Sequence, residues 1–361
     1  MTQNDASERR RPFRLSVLDQ TPVAEGMSGA QALRNTVDLA RLADALGYHR
    51  YWLAEHHGSA GLAGTSPELL IGAVAGATRR LRVGSGGVML PHYSPFKVAE
   101  LFSTLSGLYP GRIDLGVGRA AGTDPRTTLA LQRDRRQGAP DDFPQQLGEL
   151  LDYFAGTGSN KVFARLAGLL PGRPETPEPW LLGSSPQSGL WAAELGLPYA
   201  FADFINAHGA SVARHYRETF MPGERGDRPR VTVCVWAVCA ETDAEAERLA
   251  SSGRMMIAML HRGQSIAVPS VETALAFLAD DDASAGGLPQ LRAERRRVVG
   301  APATVRAGLE AVAAEYDADE VMVVTITHDH AARRRSYELI AAEFGLADGA
   351  ATADADAAVP A

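Results

Sequence analysis

Short apolar runs alternate with longer segments of helical period along most of this chain. Residues 13–18 form the first apolar run. Residues 30–46 follow, where Leu33, Val37, Ala40, Leu42 and Leu46 track a helical stripe. Gly47 stands where a C-cap glycine belongs. The same rhythm predicts strands at 48–54, 81–85 and 112–117, separated by helices at 67–78, 95–108 and 143–154. It continues with strands at 180–183, 199–202, 231–238 and 320–325. Helices are expected at 186–195, 208–220, 243–260, 303–316 and 330–344. Strand and helix in such regular alternation predict an α/β fold, a (β/α)8 TIM barrel with an insertion before the last β/α unit. A doubly wound open sheet is the alternative, because pattern alone does not show closure.

Two kinds of segment depart from the rhythm. Residues 262–300 hold Gly, Pro and Ser, a short helical piece near 271–278 and the run Asp280-Asp281-Asp282. This is long for a structureless connection. A mobile lid at the barrel mouth is the expectation, with plain disorder as the alternative. The tails 1–12 and 347–361 have little to bury and are expected to be disordered, leaving 13–346 as one domain.

Composition narrows the class. The chain has 361 residues, 45% hydrophobic and 22% charged, with net charge −7 and a pI near 5.8. That is globular material with enough chain for a large core. No basic stripe interleaved with aromatics occurs, so nucleic acid is not an expected partner. Arg9-Arg10-Arg11 and Arg295-Arg296-Arg297 read as solvated runs, a tail and a helix face. No apolar run reaches the roughly 18 residues of a membrane span, and residues 1–11 lack the apolar core of a signal peptide. Cys234 and Cys239, the two cysteines, fall on opposite faces of one strand and read as buried thiols in a reducing compartment. A cytoplasmic enzyme is expected.

Trp52-Leu53-Ala54-Glu55-His56-His57 closes the second strand with a carboxylate and two imidazoles. Sheets and barrels of parallel strands build active sites at such carboxyl ends, and histidine exchanges protons near neutral pH. Adjacent histidines point to opposite faces, so they do not readily share one ion, and no metal is expected. His57 is expected to pair with Glu55 or the backbone. His328 and His330, after the last strand, read as structural.

Three further segments carry candidate chemistry. In 81–91 a strand runs into Gly84, Gly86 and Gly87, which permit either close approach to a flat ligand or a tight strand end. Arg119 lies just past a strand end, beside Gly118. A guanidinium there suits a phosphate, because its planar fork matches two oxygens; a salt bridge is the alternative. Arg112 reads as a structural charge. In 180–188 a strand ends, Gly183 turns, and a helix opens with Ser184, Ser185 and Ser188. Free N–H groups, the helix dipole and hydroxyls make an anion site there. Neither a Walker loop nor the dinucleotide fingerprint is present, so a single phosphate fits better than a pyrophosphate. Ser66-Pro67, Ser94-Pro95 and Ser185-Pro186 each offer a hydroxyl at N-cap and a proline at N1.

Taken in order, these segments resemble the bacterial luciferase-like family of flavin-dependent monooxygenases, over about residues 13–344. The carriers are Glu55-His56-His57, residues 83–91 with Ser94-Pro95, Gly111-Arg112 leading to Leu115-Gly116-Val117-Gly118-Arg119, and Leu182-Gly183-Ser184-Ser185 before 192–198. Residues 329–339 resemble the branch of small bacterial enzymes around antibiotic-pathway members. The resemblance implies a barrel that takes reduced FMN as cosubstrate from a separate flavin reductase. It implies addition of molecular oxygen at the flavin 4a-carbon and transfer of one oxygen atom to a small organic substrate. A homodimer is also expected.

By position, His56 matches a base or proton shuttle. Arg119, Ser185 and Ser188 match the phosphate grip, with Ser184 contacting through its backbone. Ser85-Gly86 matches a non-prolyl cis bond beneath the flavin ring. Gly118 replaces the reactive cysteine of the light-emitting enzyme, and Asp203 stands roughly where that enzyme has a large aromatic. A more polar substrate side than a long-chain aldehyde needs is therefore expected. A deazaflavin-dependent dehydrogenase of the same superfamily, a metal-dependent barrel hydrolase and a non-catalytic flavin-binding protein are the competing readings.

Overall fold

The strands of this chain are buried on both faces, which is why they read as continuous apolar runs rather than alternating ones. The computed structural model describes residues 13–119, 124–132, 142–156, 161–284 and 296–346. Its strands are β1 Arg14–Asp19, β2 Arg50–Leu53, β3 Arg82–Met89, β4 Ile113–Gly118, β5 Glu178–Gly183, β6 Tyr199–Ala202, β7 Val231–Cys239, β8 Arg297–Gly300 and β9 Glu320–Val324. β1 to β7 pair in chain order, β7 pairs with β9, and β9 returns to β1, all in parallel. Eight strands thus close into a barrel, and the open sheet is excluded. Leu15, Val17, Tyr51, Val83, Leu115, Val233 and Val321 face the helices. Leu18, Trp52, Trp180, Ala200, Cys234 and Met322 fill the interior.

The helices are α1 Gly29–Leu46, α2 Pro67–Ala77, α3 Pro95–Leu108, α4 Pro125–Leu131, α5 Phe143–Ala155, α6 Lys161–Ala167, α7 Pro186–Glu194, α8 Ala210–Thr219, α9 Asp243–His261, α10 Val271–Ser284, α11 Pro302–Tyr316 and α12 His330–Glu343. Local chemistry sets their ends. The Ser28 hydroxyl accepts from the N–H of Gln31 to start α1, and Gly47, at φ 85°, closes it in the left-handed conformation.

The seventh unit differs from its sequence reading. The stretch 243–260 is helical as α9, yet α9 is not the ring helix of that unit. It packs against α10, β7 and β8, whereas α11 packs against β7, β8, α8 and α12 and takes the ring position. The excursion therefore begins directly after β7 and contains α9, α10 and β8. Both helices carry apolar stripes, so periodicity does not tell which one faces the barrel wall. β7 is long: Thr232–Trp236 pair with β9, and Trp236–Cys239 pair with β8. The barrel wall opens at this upper end, and β8 enters the wedge. The helical piece expected near 271–278 is α10. Residues 285–295 and both tails lie outside the described residues.

The cysteines fall as expected, Cys234 inside the barrel and Cys239 outside it, both buried and free. Burial pushes both thiols up, Cys239 to about 12, which makes them poor nucleophiles. No described helix is long and apolar enough to cross a membrane.

The amino-terminal end of the barrel is filled by charges. Buried Arg50 bonds Asp114 at 2.7 Å and Glu320 at 2.9 Å, and Arg230 bonds Glu178 at 2.6 Å. Trp52 and Trp180 form the apolar layer above, edge to face at 5.3 Å. Their indole N–H groups donate down to Asp114 and Glu178.

Candidate active site

β2 delivers Trp52 and then Ala54 to the barrel interior. Counting on by alternation puts His56 on the same side. The His56 N–H donates to the Gly64 carbonyl at 2.8 Å, which fixes the backbone beneath the ring. Its Nδ1 is buried and has no hydrogen-bond partner among the described residues. Burial, and then neighbouring His57, push its pKa down to about 4. The imidazole is therefore neutral at pH 7 and has one ring nitrogen uncommitted.

Glu55 turns the other way and is fully buried. Its Oε1 lies 2.7 Å from His57 Nε2 and accepts from the Tyr93 hydroxyl at 3.0 Å; its Oε2 accepts from the Met89 N–H at 3.0 Å. The Glu55–His57 pairing was expected from the sequence. The Glu55 bond to the Met89 N–H ties the ends of β2 and β3 together, and His56 keeps a ring nitrogen with no hydrogen-bond partner among the described residues.

The glycines of β3 and β4 serve a close backbone approach. The register shifts between Ser85 and Val88, with a cis peptide at Gly86–Gly87. The sequence reading placed that bond at Ser85-Gly86, one residue early. Ser85 is buried and its hydroxyl donates to the Gly116 carbonyl at 2.8 Å. A Cβ on Gly116 would stand 2.1 Å from the Ser85 carbonyl oxygen, and one on Gly86 would stand 2.5 Å from Leu18 Cδ1. Gly118, at the rim, has only ordinary van der Waals contact there, with Met89 Sδ 3.5 Å from the Cβ position.

Arg119 follows β4 and is exposed. Its guanidinium sits 5.7 Å over the ring of Trp191 on α7. The alternative salt bridge is absent among the described residues. Ser185 is the N-cap of α7 with Pro186 after it, as expected, but its hydroxyl makes no capping bond. The hydroxyls of Ser66 and Ser94 make none either. Ser188 is buried, and its hydroxyl donates to the Ser185 carbonyl at 2.7 Å and meets the Tyr199 hydroxyl at 2.9 Å. Its side chain is thus committed inward, and what it offers a ligand is its N–H. The Ser184 carbonyl accepts from Asn206 Nδ2 at 3.1 Å. The structure therefore sets Arg119 against Trp191 of α7, the helix that Ser185 opens.

Asp203 departs from its expected place. Tyr199 and Phe201 face the helices while Ala200 and Ala202 face the interior, so Asp203 turns outward. The Tyr316 hydroxyl donates to its Oδ1 at 2.7 Å, and Arg296 lies 3.6 Å from its Oδ2. Burial raises its pKa in spite of both. The mouth residue is Phe204, which stacks on Trp236 with centroids 6.5 Å apart and planes within 6°. Continued alternation from Ala200 and Ala202 is the signal that would have found it.

The segment after α9 is stitched across the mouth. Val268 N–H donates to the Val23 carbonyl at 2.8 Å, and Ser265 meets Ser59 at 2.9 Å. Met256 of α9 closes on Gly61, with Cε 2.9 Å from where a Cβ would stand. Charges read as structural are so used: Arg112 donates to the carbonyls of Leu81, Ala75 and Thr78, and His330 pairs with Asp38 at 2.9 Å. Among the described residues no three His, Cys, Asp or Glu side chains group as metal ligands.

The family model of luciferase-like monooxygenases matches residues 13–319. This chain belongs to that family. A luciferase-like monooxygenase of Escherichia coli strain K12 is 43% identical over 326 residues, 90% of this chain and 95% of its own. The crystal structure of apo-MsnO8 matches with TM-score 0.84 and 40% identity, over 93% of this chain and 99% of that one. At 22% identity the fold is shared with the oxygenating constituent of 3,6-diketocamphane monooxygenase of Pseudomonas putida, solved in complex with FMN. That match has TM-score 0.68 and covers 92% and 97% of the two chains. As a member of this family the protein is an oxidoreductase of the monooxygenase type.

Proposed function

We propose that the protein is an FMN-dependent monooxygenase of the cytoplasm that oxygenates a small organic substrate, takes reduced FMN from a separate reductase and works as a homodimer. The observation that carries the reading is the corner formed by Arg119 and α7. A guanidinium with no ion pair among the described residues lies over Trp191 of a helix whose N-cap hydroxyl makes no capping bond. The N–H groups of Gln187 and Ser188 complete a cradle for one phosphate, with the helix dipole behind them. The phosphate fits the donor set, and the Nδ1 of His56, buried and without a hydrogen-bond partner among the described residues, fits a group that exchanges a proton in the mouth. The FMN complex of the Pseudomonas neighbour supports the choice of flavin.

Reduced FMN, when bound, supplies the electrons that activate molecular oxygen. The chain's own residues do the rest. Arg119, Ser185 and the α7 N–H groups hold the phosphate, Ser184 contributes through its backbone, and Gly118 leaves the rim open. Ser85 and Gly86 shape the β3 backbone that a flat flavin ring would meet at the mouth. His56, neutral at pH 7, takes and returns a proton at Nδ1. α9 and residues 264–268 keep water from the mouth, as lids do. Met256→Ala loosens that cover, so hydrogen peroxide released per reduced FMN consumed should rise; unchanged coupling would remove the lid role.

The deciding measurement is flavin affinity. Arg119→Ala removes a charge-assisted pair and should weaken FMN binding by about 2 kcal/mol, about thirtyfold. Riboflavin should bind more weakly than FMN to the unaltered protein and be unaffected by the substitution. Equal affinity for riboflavin and FMN would overturn the phosphate assignment.

A further inference from the structure

β1 ends in Asp19, a buried carboxylate. Leu18 faces the barrel interior, so alternation turns Asp19 outward, toward α12. There the buried Arg333 bonds its Oδ1 at 2.7 Å and also donates to the Thr325 carbonyl at 2.9 Å. The Tyr51 hydroxyl donates to Oδ2. Burial works against the carboxylate charge, but Arg333 and the hydrogen bonds outweigh it and hold the pKa below its ordinary value.

The same Oδ1 accepts from the Thr21 N–H at 2.7 Å. Thr21 stands at φ 52°, in the left-handed region that β-branched residues rarely enter. Its Cβ is crowded there, so the conformation persists only where the surroundings enforce it. The Asp19 carboxylate, locked in turn by Arg333, supplies that enforcement. The Thr36 hydroxyl adds a second hold on Thr21 Oγ1 at 3.2 Å.

Thr21 in turn holds part of the mouth. Its carbonyl accepts from the Ala63 N–H at 2.9 Å, and the Val23 N–H donates to the Gly61 carbonyl at 2.8 Å. Pro22 and Leu62 bridge antiparallel between them. Gly64 comes next on this ribbon. A Cβ there would stand 2.9 Å from the Ala54 carbonyl oxygen and 3.2 Å from Thr21 Oγ1, so the ribbon lies close against the end of β2. The Gly64 carbonyl is the one that takes the His56 N–H. Each step from Arg333 to His56 is thus an ion pair, a hydrogen bond or a chain neighbour.

We propose that Asp19 is a positioning residue for His56. Held by Arg333, it fixes Thr21 in the left-handed conformation and, through residues 21–23 and 61–64, sets the backbone beneath the imidazole. The catalytic consequence rests on the acid–base reading of His56; the positioning itself does not.

Amide hydrogen exchange of the flavin-free protein, followed residue by residue by NMR, tests it. Arg333→Met with Asp19→Asn removes the charge pair but keeps an oxygen for the Thr21 N–H. Arg333→Met with Asp19→Leu removes that oxygen as well. In the Asn pair the His56 and Ala63 amides should exchange as in the parent, judged against core amides such as those of Leu115 and Val117. In the Leu pair they should exchange about tenfold faster while the core amides do not. Thr21→Gly takes the left-handed conformation without enforcement, and adding it to the Leu pair should return most of the protection. Asp19→Ala in place of Asp19→Leu gives the same readout should the larger side chain not fold. Turnover with supplied reduced FMN should fall about tenfold in the Leu pair, the effect of a misplaced group, with FMN affinity unchanged. Equal exchange at His56 in the two pairs, faster exchange shared by the core amides, or no recovery on adding Thr21→Gly would overturn the proposal. Lost protection at His56 with full turnover would sustain it and overturn the acid–base reading of His56 instead.

Discussion

His56→Ala lowers turnover with supplied reduced FMN by about 10²- to 10⁴-fold, the usual contribution of a positioned acid–base group, while FMN affinity changes little. The motive is a neutral imidazole just beyond β2, on its interior side, with Nδ1 buried and without a hydrogen-bond partner among the described residues. A purely structural histidine would lose activity only in proportion to stability, so stability is the second readout. The folded-state pKa is lowered from 6.5 to about 4. The unfolded chain therefore takes up a proton that the fold refuses between those values. Stability from this group is fully present above about pH 6.5 and is lost as pH falls toward 4. His49, also lowered to about 4 by burial first, acts in the same window. At pH 7 the variant should melt close to the parent; at pH 4.5 it should have lost less stability than the parent. Full turnover in the variant, or an acid-side melting curve identical to the parent's, would take His56 out of the role assigned to it.

The barrel was legible because each β/α unit carries its own local signal. The apolar run, the helical stripe and, for α1, the Gly47 cap point to the same elements. The places of His56, Arg119 and Ser185 in the fold were legible for a related reason, since each sits within a few residues of a strand end or helix start. What the pattern did not give depends on contacts far apart in the chain. Ring helix and excursion helix share one periodicity, so only the packing of α11 between α8 and α12 separates them from α9. Ser188 reads as a ligand in the sequence until Tyr199, eleven residues on, claims its hydroxyl. Asp203 reads as a mouth residue until Tyr316 and Arg296 place it on the outer side. The sheet's alternation would have assigned both Asp203 and Phe204, had the count been carried past the end of β6.

Arg50 is the residue most easily passed over, because it lies inside what reads as an apolar strand. Arg50→Met should destabilise the protein by about 3–5 kcal/mol, the cost of removing one partner from a buried ionic cluster. That is a large share of the roughly 5–15 kcal/mol available to a domain. The side chain is 3% exposed. Burial opposes its charge, but the carboxylates of Glu320, Asp114 and Glu178 outweigh burial and hold the guanidinium protonated. Trp180 lies against its other face, 4.6 Å from the ring centroid. Removing the cation leaves Glu320, bonded then only by Ser16, as an unpaired buried carboxylate, while Asp114 keeps Arg82 and the Trp52 indole. The penalty thus falls mainly on Glu320. Adding Glu320→Gln to Arg50→Met should recover a substantial part of the loss, which a simple packing defect would not allow. Urea denaturation of the single and double variants measures both. A loss below about 1 kcal/mol for Arg50→Met, or no recovery in the double variant, would mean that the charges at the closed end of the barrel do not stabilise the fold as argued.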